Sequence, residues 1–538
     1  MDVMGDAPLI LGVSGLRGIV GESLTPEVAV RYAANFGRWL RSQTPSHRAT
    51  EVLVATDGRA GGDALLYAAS SGLLSVGCNV RSVSVATTPT VGVALDAVEY
   101  DGALIITASH NPQEWNGIKA LVRSESWENE RSSDARGRPS EDHVNACAPS
   151  AVMADALIDT FQNEDIQFND NWNIGKMCWD TDADDKHCFA VKHAIQRTWG
   201  MRWNDRVETK KGLRVVTDSV NASSCHIDHL FFRGGPVELV QLNARGTGWF
   251  PHTPEPTREN LSGEGGLCDV VPGLKADIGF AQDPDADRLA IVDERGEYIG
   301  EECTLVLCAM ALMEARMGDE AGERRAGSPS HEGEEGRQGK PVFVVNLSTS
   351  RMIDDVARHY GGEVVRTAVG EANVVEAMKS LKASGRDVVL GGEGNGGVIW
   401  PEVTYVRDSL SGMALVLSLM ARTGKAVSQL VEMINGLGPT DEVKANGYTI
   451  IKKKSALAKK SDADPLVEHL RGIYEAQDDC RVDLQDGIRI DWDDRGVWAH
   501  VRASNTEPIM RVIVEAPSSA EAEQVAATID EQIASMGS

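Results

Sequence analysis

The chain has 538 residues, 42% of them apolar and 25% charged; at about 150 residues per domain it holds three to four domains, large enough to fold without structural disulfides or zinc. Lys and Arg number 53 against 80 Asp and Glu, a formal charge of −27. Such a surface repels nucleic acid and anionic membranes and argues against both as partners.

The opening stretch MDVMGDAPLILGVSG has no basic n-region and no cleavage-like tract, so no signal peptide is expected. Ser14-Gly-Leu-Arg17-Gly18 and Asp57-Gly-Arg59 place Arg residues in Gly-containing loops. Val52–Thr56 predicts a buried strand, Ala60–Gly77 an Ala/Leu-rich helix and Gly102–Thr107 a second strand. The rhythm returns at Leu213–Thr217, Ala276–Phe280, Val342–Val345 and Asp387–Leu390, predicting three α/β units with mostly parallel sheets. The longest apolar run, Thr304–Met313, is far short of the roughly 18 residues of a membrane span. Asp486–Trp492, Trp498–Arg502 and Met510–Glu515 predict antiparallel strands before a final helix from Ser519, an α+β pattern. Arg123–Asn145 and Gly318–Gly339 are polar or Gly- and acid-rich and predict surface insertions without a catalytic role. Nine Cys, none in a C-x-x-C pair, predict reduced thiols in a cytoplasmic protein. Lys is scarce, 17 against 36 Arg, and Lys119 is the single Lys within the first 175 residues. This balance fits a protein adapted to high salt and fits an ordinary acidic cytosolic protein equally.

Four segments carry chemistry. Thr107-Ala-Ser109-His110-Asn111-Pro112 leaves a buried strand, and a Ser at a strand's C-terminal end lies where α/β sheets bind ligands. A plain turn with side-chain to backbone bonds is its bland counterpart. Asp283-Pro-Asp285-Ala-Asp287-Arg288 offers three carboxylates at alternate positions to a hard cation, with the oxygen ligands Mg²⁺ prefers. An EF-hand would need Gly where Arg288 stands, and helices where apolar strands flank the loop. Gly392-Glu393-Gly394-Asn395-Gly396-Gly397 fits G-x-G-x-x-G, so a nucleotide-cofactor oxidoreductase is one alternative. Pro401 and the β-branched residues after the loop argue against the helix such a site needs. Glu393 and Asn395 directed at sugar hydroxyls are the other reading. Arg502-Ala-Ser504-Asn505-Thr506-Glu507-Pro508, with Arg511, supplies guanidinium groups and neutral donors suited to a phosphate.

In this order the four motifs resemble those of the α-D-phosphohexomutase family, which includes phosphoglucomutases, phosphomannomutases and phosphoglucosamine mutases. The likeness runs from Gly12 to about Glu515. The resemblance implies three tandem related α/β domains and a C-terminal α+β domain like the TATA-box-binding fold, around a central cleft. The expected boundaries are 1–185, 186–299, 300–436 and 437–538.

It further implies interconversion of hexose 6-phosphate and hexose 1-phosphate through a phosphoserine at Ser109 and a 1,6-bisphosphate, which also serves as activator. Asp283, Asp285 and Asp287, with a phosphoserine oxygen, would hold one Mg²⁺. Arg17, Lys119, His110 and Arg288 would serve the transfer, with Lys119 a candidate general acid/base. Glu393 and Asn395 would grip the sugar; Arg502, Ser504, Asn505, Thr506 and Arg511 would grip its phosphate. The expected partner is a small sugar phosphate, and the expected state a monomer or homodimer. Relatives often carry G-E-x-S-G-H where this chain has Asn395 and Gly397, and Arg-Asp where it has Thr56-Asp57. The Gly-Asn-Gly-Gly version resembles an archaeal-type branch and leans toward glucosamine phosphate, with glucose or mannose phosphate as alternatives. A silent sugar-phosphate binding protein is the remaining alternative.

Overall fold

The computed structural model describes residues 8–13, 15–44, 47–96, 100–123, 146–163, 165–208, 212–320, 339–457, 459–504 and 509–536. Most of the two expected insertions, and Asn505 and Thr506, lie outside the described residues. The chain gathers into two compact units, one of residues 1–304, 311–330 and 396–427, the other of 305–310, 331–395 and 428–538.

The first unit opens with β1 (Ile10–Gly12), β2 (Gly15–Ile19), α1 (Pro26–Gln43), β3 (Glu51–Thr56), α2 (Gly62–Ser75), β4 (Asn79–Val85), α3 (Thr88–Asp96), β5 (Gly102–Ile106), β6 (Trp115–Arg123) and β7 (Ala146–Cys147). It continues through α4 (Ala151–Asn163), β8 (Met177–Trp179), α5 (Ala183–Trp199) and α6 (Trp203–Val207). The start of α1 is written in its sequence: Thr25 accepts from Val28 N, Pro26 is helical residue one, and Glu27 faces the positive helix end. The first sheet runs β1-β2-β6-β5-β3-β4-β8, parallel through β5, β3, β4 and β8 and antiparallel at β6, β2 and β1. Strands β3 and β5 are buried on both faces. Val52, Val54 and Leu104 join one core cluster; Leu53, Ala55 and Ile105 join another. Double-sided burial is why these strands read as unbroken apolar runs.

The second sheet uses β9 (Leu213–Asp218), β10 (Val237–Leu242), β11 (Ile278–Gln282) and β12 (Leu289–Asp293), with α7 (Ser224–Phe232), α8 (Arg258–Leu261) and α9 (Leu267–Gly273) between them. Its order is β10-β9-β11-β12, with β12 antiparallel. Strand β11 starts two residues later than the sequence suggests, after Lys275 turns the chain at φ 52°. It therefore delivers the chain directly to Asp283. The helix α10 (Glu301–Glu320) carries the long apolar run.

The second unit contains β13 (Val342–Asn346), α11 (Met352–His359), β14 (Glu363–Thr367), α12 (Glu371–Ala383) and β15 (Val388–Glu393), paired in the parallel order β14-β13-β15. β16 (Gly397–Ile399) and α13 (Ser409–Thr423) belong to the first unit. After α14 (Val427–Asn435) and α15 (Asp441–Asn446), the chain makes β17 (Thr449–Ala456), α16 (Ala463–Tyr474), β18 (Arg481–Asp483), β19 (Ile488–Trp492), β20 (Val497–Ala503), β21 (Ile509–Ala516) and α17 (Ser519–Met536). The last five strands form an antiparallel sheet, β17-β21-β20-β19-β18. One face packs Val501 and Val512 against Leu470 of α16 and Ile529 of α17. The other carries fully buried Arg489, stacked 4.2 Å over Trp498, paired with Asp491 at 2.9 Å and bonded to Leu347 O.

Candidate active site

Ser109 follows β5 in a backbone held at φ 51°, a left-handed conformation that costs a non-glycine residue roughly 1–2 kcal/mol. Such strain persists where the surroundings over-determine it. Here Thr107 Oγ1 accepts from Ser109 N at 2.9 Å and donates to Asp57 Oδ2 at 2.7 Å. The Arg59 guanidinium donates to Ser109 O at 2.5 Å and to Trp115 O at 2.6 Å, and its Nε pairs with Asp57 at 2.9 Å. Arg59 is 2% exposed and lies 5.1 Å from the Phe250 ring centroid. The sequence marked it only as an Arg in a Gly-containing loop. Its place is beneath the serine loop, as a clamp.

The Ser109 hydroxyl donates to Asp283 Oδ2 at 2.8 Å and lies 3.3 Å from His110 Nδ1. Asp283, Asp285 and Asp287 are fully buried, with one carboxylate oxygen from each within 4.8 Å of the others. Ala286, between them, turns the loop at φ 55°. Asp285 Oδ1 and Asp287 Oδ1 are buried without a hydrogen-bond partner. An all-oxygen donor set with two orphaned buried oxygens fits a hard divalent cation. Burial, then Asp287 and Asp285, push the Asp283 carboxyl well above the usual carboxylate range, a repulsion a cation would relieve. Burial opposes ionisation of Asp287 as well, but Arg407, Lys119 and Arg288 hold it well below that range.

Four of the expected transfer residues join this centre. Lys119, on β6, places its ammonium 2.7 Å from Asp285 Oδ2 and 2.9 Å from Asp287 Oδ2. Arg288 donates its backbone N–H to Asp283 Oδ1 at 3.1 Å, with its Nε 4.0 Å from Asp287. Arg17, on β2, donates to Asn111 Oδ1 at 3.0 Å in the serine loop. Burial and the cations Arg288 and Arg17 push the His110 imidazole well below its ordinary range, so it is neutral at physiological pH.

Two further residues touch the aspartates without any local sequence signal. Arg407 donates to Asp287 Oδ2 at 2.5 Å, and Thr88 Oγ1 donates to Asp285 Oδ2 at 2.7 Å.

In the second unit, Glu393 ends β15, so it is a strand residue and not part of a Gly-rich loop. Its Oε1 accepts from Asn346 Nδ2 at 2.8 Å and its Oε2 from Asn395 Nδ2 at 3.4 Å. The dinucleotide reading of Gly392–Gly397 is overturned: strand β16 follows, where a phosphate-binding helix would have to start. Gly396 is needed for another reason, as a Cβ there would come 2.5 Å from Leu289 O at φ 81°.

Arg502 pairs with Asp486 at 3.0 Å, and Ser504 N bonds to Ile509 O at 2.9 Å. Arg511 stands directly opposite Arg502 on one neighbouring strand and Lys454 on the other. Three cations thus share one cross-strand row, with Asp486 beside Arg502 as counter-ion. Lys454 went unnoticed in the sequence because only register aligns it.

Family models described as phosphoglucomutase/phosphomannomutase alpha/beta/alpha domains I, II and III match residues 8–126, 194–296 and 329–436. The model of that family's C-terminal domain matches residues 453–532. A protein named "Phosphoglucomutase/phosphomannomutase" from Thermococcus kodakarensis is 31% identical over 520 residues, covering 96% of each chain. One named "Probable phosphoglucosamine mutase" from Methanopyrus kandleri is 32% identical over 518 residues, 96% of this chain and 95% of that one. Among solved structures, a phosphoglucomutase/phosphomannomutase family protein from Burkholderia thailandensis aligns with TM-score 0.68 at 22% identity, over 97% of this chain and 98% of its own. The pp63/parafusin phosphoglucomutase of Paramecium aligns with TM-score 0.63 at 14% identity, over 99% and 98%. Both structures speak to the fold of tandem α/β domains with an α+β domain at the end. With four successive domain matches and a relative 31% identical over nearly its whole length, the chain belongs to the phosphoglucomutase/phosphomannomutase family and is a phosphohexomutase, an isomerase.

Proposed function

We propose that the chain interconverts hexose 6-phosphates and hexose 1-phosphates through a phosphoserine at Ser109, with glucosamine phosphate as its preferred substrate. The observation that carries this reading is the 2.8 Å bond from Ser109 Oγ to Asp283, inside a buried group of carboxylates and cations. In the forward step the P–O bond to Ser109 breaks as a bond to the sugar hydroxyl forms, giving a 1,6-bisphosphate. The bisphosphate turns over, and its other phosphoryl group returns to Ser109 Oγ. In this step one proton passes from the sugar hydroxyl to the departing Ser109 Oγ. Lys119, whose ammonium must first give up its proton to act as a base, is the candidate general acid/base, and neutral His110, 3.3 Å from Ser109 Oγ, holds the serine hydroxyl.

Asp283, Asp285 and Asp287 would hold Mg²⁺, which would offset the charge of phosphoserine and sugar phosphate. Arg17 and Arg288 supply the remaining positive charge. Glu393 and Asn395 are assigned to the sugar hydroxyls. Arg502, Ser504, Asn505, Thr506 and Arg511 are assigned to the distal phosphate, and Lys454 extends that row. We assign four domains, 1–185, 186–299, 300–436 and 437–538, in a cytoplasmic monomer or homodimer.

Asn395 in the sugar loop and the relative named for glucosamine phosphate support that substrate; the relative named for glucose and mannose phosphates supports the second reading. A coupled assay across glucose, mannose, glucosamine and N-acetylglucosamine phosphates, with bisphosphate activator, tests the choice. Higher kcat/KM on glucose or mannose phosphate would overturn it. Intact mass separates a mutase from a silent binding protein: a fraction about 80 Da heavier, mapped to Ser109, is expected.

A further inference from the structure

One buried polar cluster of the first unit plays no part in the chemistry above. His187, on α5, is fully buried, and so are its partners Thr90 and Asp408. Its Nδ1 lies 2.9 Å from Thr90 Oγ1, and its Nε2 lies 3.1 Å from Asp408 Oδ2. Thr90 Oγ1 is 2.7 Å from Thr87 Oγ1. Asp408 also receives Ser411 Oγ and, at 2.9 Å, the Leu410 N–H at the start of α13. A hydroxyl, an imidazole and a carboxylate in line have the order of a nucleophilic triad. With all three side chains sealed from solvent, no substrate reaches the hydroxyl. The cluster is structural.

Both of its ends lead to the aspartate loop. Two residues before Thr90, Thr88 donates its backbone N–H to Asp285 O at 2.9 Å and its hydroxyl to Asp285 Oδ2 at 2.7 Å. Next to Asp408, Arg407 bonds Asp287 Oδ2 at 2.5 Å, and Ser409 Oγ accepts from Gln282 Nε2 at 2.8 Å. The two segments also pack tightly without the histidine: a Cβ on Gly92 of α3 would lie 2.8 Å from Val406 Cγ2.

We propose that His187 is a positioning residue that ties segment 87–90 to segment 407–411 and thereby fixes the two groups, Thr88 and Arg407, that aim Asp285 and Asp287 at a divalent cation. The proposal rests on the reading of the three aspartates as metal ligands. Outer partners of metal ligands commonly change metal affinity 10- to 100-fold when removed. His187 acts one bond further out, so the expected effect is at the lower end.

The test is Mn²⁺ binding to the full chain, followed by electron paramagnetic resonance, for the parent, His187→Leu, Thr90→Val and Asp285→Asn. His187→Leu keeps most of the volume and removes both hydrogen bonds. It should raise the Mn²⁺ dissociation constant about tenfold, while the sugar-phosphate KM at saturating metal stays within twofold. Thr90→Val cuts one arm, should shift the constant in the same direction by less, and serves alone if His187→Leu does not fold. The double variant should bind no more weakly than His187→Leu, since one connection is cut in both. Parent-like affinity in both single variants, with Asp285→Asn impaired, overturns the proposal and leaves the metal site standing. Mn²⁺ binding that is weak in the parent and unmoved by Asp285→Asn overturns both together.

Discussion

Ser109 and Asp283 are 174 residues apart in the chain and 2.8 Å apart at their side-chain oxygens. The contact joins a serine held in a left-handed turn to a carboxyl whose proton affinity is raised by burial and by two neighbouring aspartates. A phosphoryl group on that oxygen would sit beside the one place in the first unit where three buried carboxylates converge among the described residues.

The strained serine separates catalysis from stability. Ser109→Ala and Ser109→Gly should each lower kcat by about 10³-fold or more, since the attacking and accepting oxygen is gone. Ser109→Gly should be about 1 kcal/mol more stable than Ser109→Ala, because glycine accepts φ 51° without a Cβ clash. Urea unfolding of the two variants measures the difference. Equal stabilities would show that the turn stores no strain.

Lys119 bridges two buried aspartates that a cation would also neutralise. Without divalent metal, Lys119→Met should destabilise the chain by about 3–5 kcal/mol, by stranding buried charge. Saturating Mg²⁺ should recover much of the lost Tm in the variant and raise the parent less. A Tm deficit identical with and without Mg²⁺ would contradict the shared site.

Asp228, on α7, is fully buried and its carboxyl is pushed up by burial to about 7. Between the ordinary aspartate range near 3.8 and about 7, the folded chain holds this proton and the unfolded chain does not. Folding therefore binds a proton in that window, and Asp228 lowers stability as pH rises through it. Asp228→Asn lacks the effect. The Tm of the variant minus that of the parent should grow by several degrees from pH 5 to pH 8 and then level off. A difference independent of pH would refute the assignment.

The row Lys454, Arg511 and Arg502 should act on binding and not on chemistry. Lys454→Ala is expected to raise the sugar-phosphate KM about three- to tenfold with kcat within twofold, the mark of a uniform binding contact. Added salt should weaken substrate binding less in the variant than in the parent. Steady-state kinetics at two ionic strengths decide it.

What the sequence made legible is local. Ser109 announces itself by leaving a buried strand beside His110 and Pro112, and the three aspartates by alternating along five residues. The strands around them are readable because both faces are covered, leaving unbroken apolar runs. What stayed hidden depends on pairing at long range. Arg407 lies 120 residues from Asp287, and nothing near either shows that they meet. Arg59 looks like a surface arginine, and its 2% exposure comes from the loop folded over it. His187 sits in an amphipathic helix where a histidine carries no signal at all. Glu393 was displaced from loop to strand end because glycines at 391 and 392 do not break a parallel strand buried between neighbours.

Arg59 holds the carbonyls of both Ser109, three residues past the end of β5, and Trp115, the first residue of β6. The number of residues between those two grips is thus set by the span of a single guanidinium. An engineer grafting this loop into another scaffold, or lengthening it to admit a bulkier sugar, would have to move Asp57 and Arg59 with it. Insertions there should be purged from any library long before substitutions are.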